Sequence, residues 1–413
     1  MTQMESLRGW RTPAVVIVCG CIIAMVSFGP RSSLGFFLTP LSGANGWGRE
    51  VFAFALAIQN LLWGVGQPFA GAIADRFGTN RVLILGALFY AAGLALMSHA
   101  TTAAGIDLSA GVLIGFGLSG CSFNIVLGAF GKLLPESWRS LAFGLGTAAG
   151  SFGQFLFSPI AVAIMDSYSW QVALFAFACV ILVIVPLAAA LATPPAQTAA
   201  RAAAAPGPSP QSLKRALAEA FGHRSYVLLV LGFFTCGFQL AFVTVHLPSY
   251  LIDRGLSAAI GGWTLAVIGL FNIVGSLTSG YLGNRMPRRY ILSFIYLARA
   301  LSIVVFITMP ATAIGTLVFG AVTGLLWLST VPPTSSLIAT MFGTRWLAML
   351  FGFAFFSHQV GGFLGVLLGG IVFEHTGSYN PVWWLSVVFG VLSALINLPI
   401  VERPVARLAA APA

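Results

Sequence analysis

Apolar residues form twelve long runs that follow one another along the chain and are separated by polar segments. Each run has about 20 residues, which at about 1.5 Å per residue cross about 30 Å of hydrocarbon as an α-helix. The pattern therefore predicts an all-α integral membrane protein with twelve transmembrane helices. In chain order, spans 1 to 12 are predicted at residues 14–38, 51–73, 82–99, 108–131, 140–164, 170–192, 226–250, 259–282, 290–309, 312–340, 346–373 and 381–401.

Composition agrees with this class of protein. Of the 413 residues, 58% are hydrophobic and only 7% are charged. A soluble domain has about 25% charged residues, so this chain cannot cover itself with a water-facing surface. All five cysteines lie inside apolar runs, where they favour packing roles over a disulfide framework or metal ligation. We expect neither a metal nor a cofactor.

The longest polar gap, residues 193–225, divides the runs into six and six. It is rich in proline and alanine and predicts a flexible linker, while "SLKRALAEAF" within it predicts a short amphipathic surface helix. The predicted organisation is an N-terminal six-helix bundle at residues 1–192, a cytoplasmic linker at 193–225 and a C-terminal six-helix bundle at 226–413.

The two halves repeat each other in sequence. Residues 138–166 align with 346–374 at an offset of 208, and the loop 71–81 aligns with 280–290 at an offset of 209. Repeats related in this parallel way are typical of transporters whose halves rock about a central site. The repeat therefore favours transport over a receptor or a structural role.

Lysine and arginine are distributed unevenly between the two sides of the predicted membrane. With the N-terminus in the cytoplasm, sixteen of the twenty lie on cytoplasmic segments, and only Arg49 and Arg254 lie on the opposite side. This bias follows the positive-inside rule and predicts that both termini are cytoplasmic. The net charge of +10 therefore reflects membrane topology, and we expect no nucleic-acid partner.

The loop between spans 2 and 3 reads G-A-I-A-D-R-F-G-T-N-R, which resembles the G-x-x-x-D-R-x-G motif of the major facilitator superfamily. The resemblance implies two pseudo-symmetric six-helix bundles and a secondary active transporter that works by alternating access. It also implies that this loop is a gate, in which glycines let helices approach closely and charges form a cytoplasmic cluster. The predicted gating residues are Gly71, Asp75, Arg76, Gly78 and Arg81.

Two further segments resemble one branch of that superfamily. "FGPRSSLGFF", residues 28–37, is similar to the first-span pattern of monocarboxylate transporters, with Arg31 at the position of their lysine. Residues 137–160 are similar to their fifth-span pattern, and the oxalate–formate antiporters share the same plan. The resemblance implies small organic anions as substrates. One position departs from it, because Ser276 stands where the eighth span usually has an arginine, four residues after Asn272.

The predicted spans contain two arginines, Arg31 and Arg299, and no aspartate or glutamate. A buried guanidinium without a partner is costly unless water, carbonyl dipoles or an anion compensates it. An anionic substrate meets this need, so both arginines are predicted to bind substrate. Two alternatives stay open: Arg31 can snorkel to the outer interface, and Arg299 can bind backbone carbonyls of a neighbouring helix.

Other polar side chains in the spans are further candidates. His246 and His358 are the intramembrane groups that titrate near neutral pH, so a coupled proton would use them unless it travels with the substrate. Either histidine can equally be a packing residue. Pro332 and Pro333 predict a bend in span 10. The neutral groups are Gln154, Gln359 and three predicted substrate ligands, Asn124, Gln239 and Asn272, any of which can instead tie helices together.

The sequence offers no basis for an enzyme, because the spans hold neither a carboxylate pair nor a nucleophile with its base. We predict uptake of small organic anions, most simply monocarboxylates together with a proton. An organic-anion exchanger and an exporter of drugs or aromatic compounds are the alternatives. We expect a multi-pass monomer in the inner membrane of a bacterium, with the lipid bilayer, the anionic substrate and the proton as its partners.

Overall fold

The structure, a computed structural model, describes residues 10–193, 213–343 and 346–406. Within these ranges the chain is helical and contains no strand. Each predicted run corresponds to one helix or to consecutive helical pieces, and we keep its span number. The spans are Pro13–Ser32, Leu34–Phe37 and Leu38–Asn45 (1); Arg49–Phe77 (2); Thr79–Met97 (3); Ala103–Ile106, Asp107–Leu113, Ile114–Cys121 and Phe123–Leu133 (4); Glu136–Ser167 (5); Trp170–Leu182 and Ile184–Leu187 (6); Arg224–Asp253 (7); Ala258–Leu282 (8); Arg288–Thr308 (9); Ala313–Leu326 and Val331–Phe342 (10); Leu347–Thr376 (11); and Asn380–Asn397 (12).

The predicted linker is described only in part. A short helix, Leu213–Phe221, forms where the sequence predicts the amphipathic surface helix. Residues 194–212 of the linker lie outside the described residues. The described part is therefore the helical segment that leads into span 7.

Eleven stretches of the described residues are long and apolar enough to cross a membrane, and they include every predicted span except span 2. With 29 residues, span 2 is long enough to cross. Its apolar pattern is interrupted by Gln59, Asn60 and Gln67, whose side chains all find partners inside the protein. Gln59 and Asn60 donate to backbone carbonyls, and Gln67 accepts from the indole of Trp63. Span 2 is thus a helix whose polar face is turned toward protein.

The two halves pack in the same way. Span 1 contacts span 5, span 2 contacts span 4 and span 3 contacts span 6, and the corresponding spans 7 and 11, 8 and 10, and 9 and 12 contact each other. Gly153 and Gly361, which the repeat aligns, serve the first of these contacts. A Cβ at Gly153 would collide with the Met25 carbonyl, and one at Gly361 with the Phe234 carbonyl. The arrangement confirms two pseudo-symmetric bundles.

Between the halves, span 2 packs against span 11, span 5 against span 8, and span 1 against span 7. One end of the molecule, which we call the Arg49 end, consists of the ends of spans 1, 7 and 11 and the starts of spans 2, 8 and 12. There Thr39 Oγ1 lies 2.9 Å from Ser249 Oγ, and Arg49 forms an ion pair with Asp253. These two contacts join the halves at the Arg49 end.

Spans 4 and 10 are both interrupted. The first helix of span 10 ends at Leu326 and the second begins at Val331, with Pro332 and Pro333 in its first turn, where a missing N–H costs no hydrogen bond. Span 4 breaks at the single residue Ser122, whose ψ of 154° is extended. The break in span 10 is thus wider, and it leaves more backbone groups to satisfy.

Candidate functional site

A small central cavity lies between the halves and has a volume of about 40 Å³. Such a volume holds about two or three water molecules. Spans 1, 2, 4 and 5 form most of its wall, and span 10 contributes Leu328. Its lining is largely apolar and aromatic and consists of Ser27, Phe28, Trp63, Leu118, Ser122, Phe123, Thr147, Gly150, Ser151 and Leu328.

Most hydroxyl groups of the cavity wall are already hydrogen-bonded. Ser27, Thr147 and Ser151 donate to carbonyl oxygens of their own helices, at 3.2, 2.9 and 3.4 Å. Ser151 Oγ also accepts from Asn272 Nδ2 at 2.8 Å. Only the buried Ser122 Oγ in this lining has no hydrogen-bond partner among the described residues. The wall therefore offers few polar groups to a molecule that enters the cavity.

Arg31 lies one turn beyond Ser27 and Phe28, at the last turn of the first helix of span 1. Its guanidinium stands over the indole ring of Trp63, 5.0 Å from the ring centroid. Nη2 donates to Asn60 Oδ1, and the buried Nε has no hydrogen-bond partner. Within the described part of the chain no carboxylate pairs with Arg31. The side chain is half-buried beside the cavity, although it is not itself part of the lining.

The backbone after Arg31 changes from an α-helix to a tighter 3₁₀ turn at Leu34–Phe37. Ser32 and Ser33 both donate to the carbonyl of Gly29, at 2.6 and 3.2 Å. Side-chain bonds of this kind bend a helix and fix its local geometry. The sequence around Arg31 therefore holds this residue at a rigid turn rather than on a continuous helix.

Arg299 has very different surroundings. It is only 3% exposed, and its Nε and Nη2 donate to the carbonyl of Leu326, with Nη2 also reaching the carbonyl of Trp327. Nη1 lies 3.5 Å from Gln239 Oε1. These carbonyls belong to the break in span 10. Of the two roles that the sequence leaves open for Arg299, the structure supports the binding of backbone carbonyls and not contact with the cavity.

The three predicted amide ligands do not line the cavity. Gln239 Nε2 donates to the Ser386 carbonyl at 2.9 Å and thereby ties span 7 to span 12. Asn272 Oδ1 accepts from Leu328 N at 2.9 Å and from Ser276 Oγ at 3.2 Å, while its Nδ2 supports Ser151. Asn124 is half-buried, two residues after Ser122, and is not part of the lining. In this structure Gln239 and Asn272 thus connect helices.

Two further amides of the sequence analysis are buried at contacts between helices. Both amide atoms of Gln154 are buried without a hydrogen-bond partner among the described residues. Gln359 Oε1 accepts from His358 Nδ1, and Gln359 Nε2 has no partner among the described residues. Neither residue lines the cavity.

The two histidines differ in accessibility. His246 is completely buried, with Nε2 2.8 Å from the Val366 carbonyl and its ring packed against Phe242 and Tyr379. His358 is half-buried, with Nδ1 3.0 Å from Gln359 Oε1 and its ring stacked on Phe355. The surroundings of His246 are those of a packing residue. His358 keeps the greater access for a proton.

The gating motif is described only in part, because the side chains of Asp75 and Arg76 lie outside the described residues. Gly78 has a φ of 95°, which favours glycine and permits the sharp turn from span 2 to span 3. A Cβ at Gly71 would meet no atom within 4 Å, so the close helix approach expected there is absent from this structure. Arg81 is exposed.

Sequence reasoning missed three residues beside the cavity, Asn60, Trp63 and Tyr90. Asn60 and Trp63 are one turn apart on span 2, and both contact the Arg31 guanidinium. The fully buried Tyr90 of span 3 lies next to Arg31. The adjacent amides Gln59 and Asn60 inside an apolar run were the available signal.

Two pseudo-symmetric helical bundles around a central cavity define a polytopic membrane transporter. The family model described as Major Facilitator Superfamily matches residues 20–366, and the chain belongs to this family. An uncharacterized MFS-type transporter of Bacillus subtilis (strain 168), YcxA, is 29% identical over 93% of this chain and 94% of its own length. Monocarboxylate transporter 13 of Rattus norvegicus is 27% identical over 95% and 89%.

A solved structure shows the same fold. The crystal structure of a D-xylose–proton symporter superimposes with a TM-score of 0.72 and covers 95% of this chain and 98% of its own. At 16% sequence identity, this likeness concerns the fold alone. These neighbours are transporters and not enzymes.

Proposed function

We propose that this protein transports small organic anions, most simply monocarboxylates together with a proton, by alternating access. The observation that carries the proposal is the state of Arg31. Its permanently charged guanidinium lies beside the central cavity with one neutral side-chain acceptor, one unused N–H and no carboxylate partner among the described residues. A carboxylate that enters the cavity supplies the missing acceptor.

The energetics favour an anionic guest over a neutral one. Charge-assisted hydrogen bonds contribute about 1.5–3 kcal/mol, because donor and acceptor both carry charge and the surroundings are poorly solvated. Trp63 covers one face of the guanidinium and leaves its edges for hydrogen bonds. A cationic guest would be repelled at the same place. Arg31 therefore selects for the sign of the charge.

The cavity wall favours one carboxylate on an apolar body. Phe28, Trp63, Phe123 and Leu328 supply apolar surface, and the hydroxyls around them are engaged with backbone carbonyls. A second carboxylate or several hydroxyl groups would lose their hydration without finding partners. The relatives named monocarboxylate transporters support the same substrate class. Ser276 does not replace the family's arginine, and Arg31 supplies the cation instead.

The proposed orientation places both termini and the loop of residues 71–81 in the cytoplasm of a bacterial cell, and the Arg49 end outside the inner membrane. It rests on the charge bias between the two sides.

Asp75 and its neighbours then gate the cytoplasmic end. His358 is the more accessible carrier of a coupled proton, and we expect a monomer to suffice because each chain has its own cavity.

Uptake into proteoliposomes tests the proposal. A panel of labelled acids, with and without a pH gradient, should identify a monocarboxylate whose uptake is stimulated by an acidic exterior. Arg31→Gln should weaken its binding about 10- to 100-fold, and Arg31→Lys should retain part of the affinity. The matched control is Arg254→Gln, which removes an exposed arginine at the Arg49 end.

The result that would overturn the proposal is transport of an anion by Arg31→Gln at the wild-type rate and affinity. Counter-transport of a second anion without any effect of the pH gradient would instead support an exchanger. Active export of neutral or cationic aromatic compounds by both variants would support the drug-exporter alternative.

A further inference from the structure

A single residue of the N-terminal half, Arg49, is held by three segments of the C-terminal half. Its guanidinium forms two hydrogen bonds with the Asp253 carboxylate at the end of span 7, at 2.6 and 2.7 Å. It also donates to the Tyr379 hydroxyl at 3.0 Å and lies 4.0 Å from the centroid of the Phe373 ring. Its backbone N–H donates to Glu374 Oε2 at 3.2 Å. A bidentate pair of this kind fixes both distance and orientation.

The next residue, Glu50, brings a second carboxyl group to Glu374. Gly370 allows the start of span 2 to lie directly on span 11, because a Cβ there would be 2.9 Å from Glu50 Cα. One turn further along span 11, the carboxyl groups of Glu50 and Glu374 are in hydrogen-bond contact. Glu50 Oε2 is buried, and the Glu50 carboxyl group also accepts from its own backbone N–H. Two carboxylates in contact repel each other unless they share a proton.

Other charged and titratable groups surround this pair on every element packed against it. They are Arg49 on span 2, Asp107 on span 4, Asp253 on span 7, Glu374 and His375 on span 11, and Tyr379 at the start of span 12. Asp107 faces Glu50 across a cavity of about 270 Å³. Glu50 precedes the apolar run 51–73. Burial and the adjacent Glu374 carboxyl raise the pKa of Glu50, while the hydrogen bond from its own backbone N–H and the nearby His375 act in the opposite direction.

We propose that the Arg49 end is a latch between the two halves, and that closing it takes up one proton, which Glu50 and Glu374 share. Closure brings the two carboxyl groups together, and one water-derived proton forms the O–H···O⁻ hydrogen bond between them. Opening separates the groups and returns the proton to water on that side. The Arg49–Asp253 ion pair supplies the rest of the contact and needs both its members charged.

The direction of the pH dependence follows from this exchange. The closed latch binds the proton more tightly than the open one, so closure is favoured below the raised pKa and is lost as the pH rises through it. For one shared proton, the ratio of closed to open molecules changes by at most about tenfold per pH unit.

Distance measurements on the full chain in lipid nanodiscs test the latch without any substrate. Spin labels at Ala44→Cys and Ser257→Cys, in a background without the native cysteines, report the gap between the ends of the two halves. Both positions are exposed at the Arg49 end. The short-distance population should grow as the pH falls from about 8 to about 5. Glu50→Gln should stay closed over this range, because its amide donates permanently to Glu374.

Two matched variants separate the pair from its surroundings. Asp107→Asn removes a carboxyl group on the other side of the neighbouring cavity. The short-distance population of this variant should depend on pH as it does in the wild type. Asp253→Asn breaks the ion pair and should shift the population toward long distances at every pH. If Glu50→Gln does not fold, Glu374→Gln answers the same question.

The proposal is overturned if the wild-type distances do not change with pH, or if Glu50→Gln and Glu374→Gln titrate as the wild type does. Because the readout needs no substrate, this outcome leaves the role of Arg31 untouched. Conversely, normal transport by Arg31→Gln would refute the anion site and leave the latch intact.

Discussion

Arg31 and Arg299 are arginines of the apolar interior, one in each half, and their surroundings differ in every contact. At the offset of 208 Arg31 aligns with Gln239, and at the offset of 209 Tyr90 aligns with Arg299. At these two aligned positions, on its first and third spans, each half therefore has one arginine and one neutral polar side chain. The N-terminal half carries the charge on span 1, beside the cavity, and the C-terminal half carries it on span 9.

The break in span 10 explains why the Arg299 guanidinium finds backbone acceptors for its hydrogen bonds, whereas the Arg31 guanidinium keeps an N–H without a partner. Four residues separate the two helices of span 10, and Arg299 binds the carbonyls that the first helix leaves without partners. Span 4 breaks at Ser122 alone, and no arginine is needed there. The same side chain thus stabilises the fold in one half and remains available in the other. Available hydrogen-bonding capacity, rather than charge by itself, distinguishes the candidate site.

The largest expected effect concerns the fold. Arg299→Met keeps the approximate volume of the side chain and leaves the carbonyls of Leu326 and Trp327 buried without partners. Each such group costs about 1–3 kcal/mol, so we expect a loss of about 2–4 kcal/mol of stability. Thermal unfolding in detergent should show a melting temperature lower by about 2–5 °C.

The matched control for this prediction is Arg31→Met. This change removes a guanidinium that has one side-chain acceptor and an unused Nε, so the melting temperature should stay the same or rise. Equal destabilisation by both variants would contradict the distinction between the two arginines.

The helical architecture could be read from the sequence because apolar runs and the internal repeat are local patterns. Span 8, predicted at residues 259–282, is observed at Ala258–Leu282, and the ends of the other runs agree to within seven residues. The roles of the two arginines could not be read in the same way. Both stand alone in apolar runs, and only the carbonyls of a break formed 27 residues away from Arg299 tell them apart. The contact between Glu50 and Glu374 is likewise tertiary. The internal repeat does not indicate it, because the repeat aligns Glu374 with Asp166 and not with Glu50.

The second prediction gives Arg31 the partner that it lacks. Asn60→Asp places a carboxylate at the position of the amide oxygen that now accepts from Nη2, and the guanidinium should become saturated as Arg299 is. An internal carboxylate then competes with the substrate, and its binding should weaken about 10- to 100-fold. Equilibrium binding of the labelled monocarboxylate to purified protein measures this change.

Gln67→Glu is the control for Asn60→Asp, because it adds a carboxylate to the same helix two turns further on, where the side chain accepts from Trp63. It should change the affinity by less than about threefold. If the two variants weakened binding equally, the effect would be one of net charge and not of a direct partner for Arg31.

The smallest expected effect concerns the contact between the Trp63 ring and the face of the Arg31 guanidinium. Trp63 lies beneath Arg31 at 5.0 Å and also meets Phe355 of span 11 edge to face, with 5.6 Å between ring centroids. A cation–π contact of this kind contributes about 0.5–1 kcal/mol, so Trp63→Leu should weaken substrate binding about two- to fivefold, and Trp63→Phe should weaken it less. Phe355→Leu removes the aromatic contact between the halves and keeps the indole under the guanidinium, so it should leave the affinity unchanged. A loss of affinity in Phe355→Leu equal to that in Trp63→Leu would mean that the ring acts through the packing of the halves. Unchanged binding in Trp63→Leu would mean that Arg31 is positioned by Asn60 and the turn of span 1 alone.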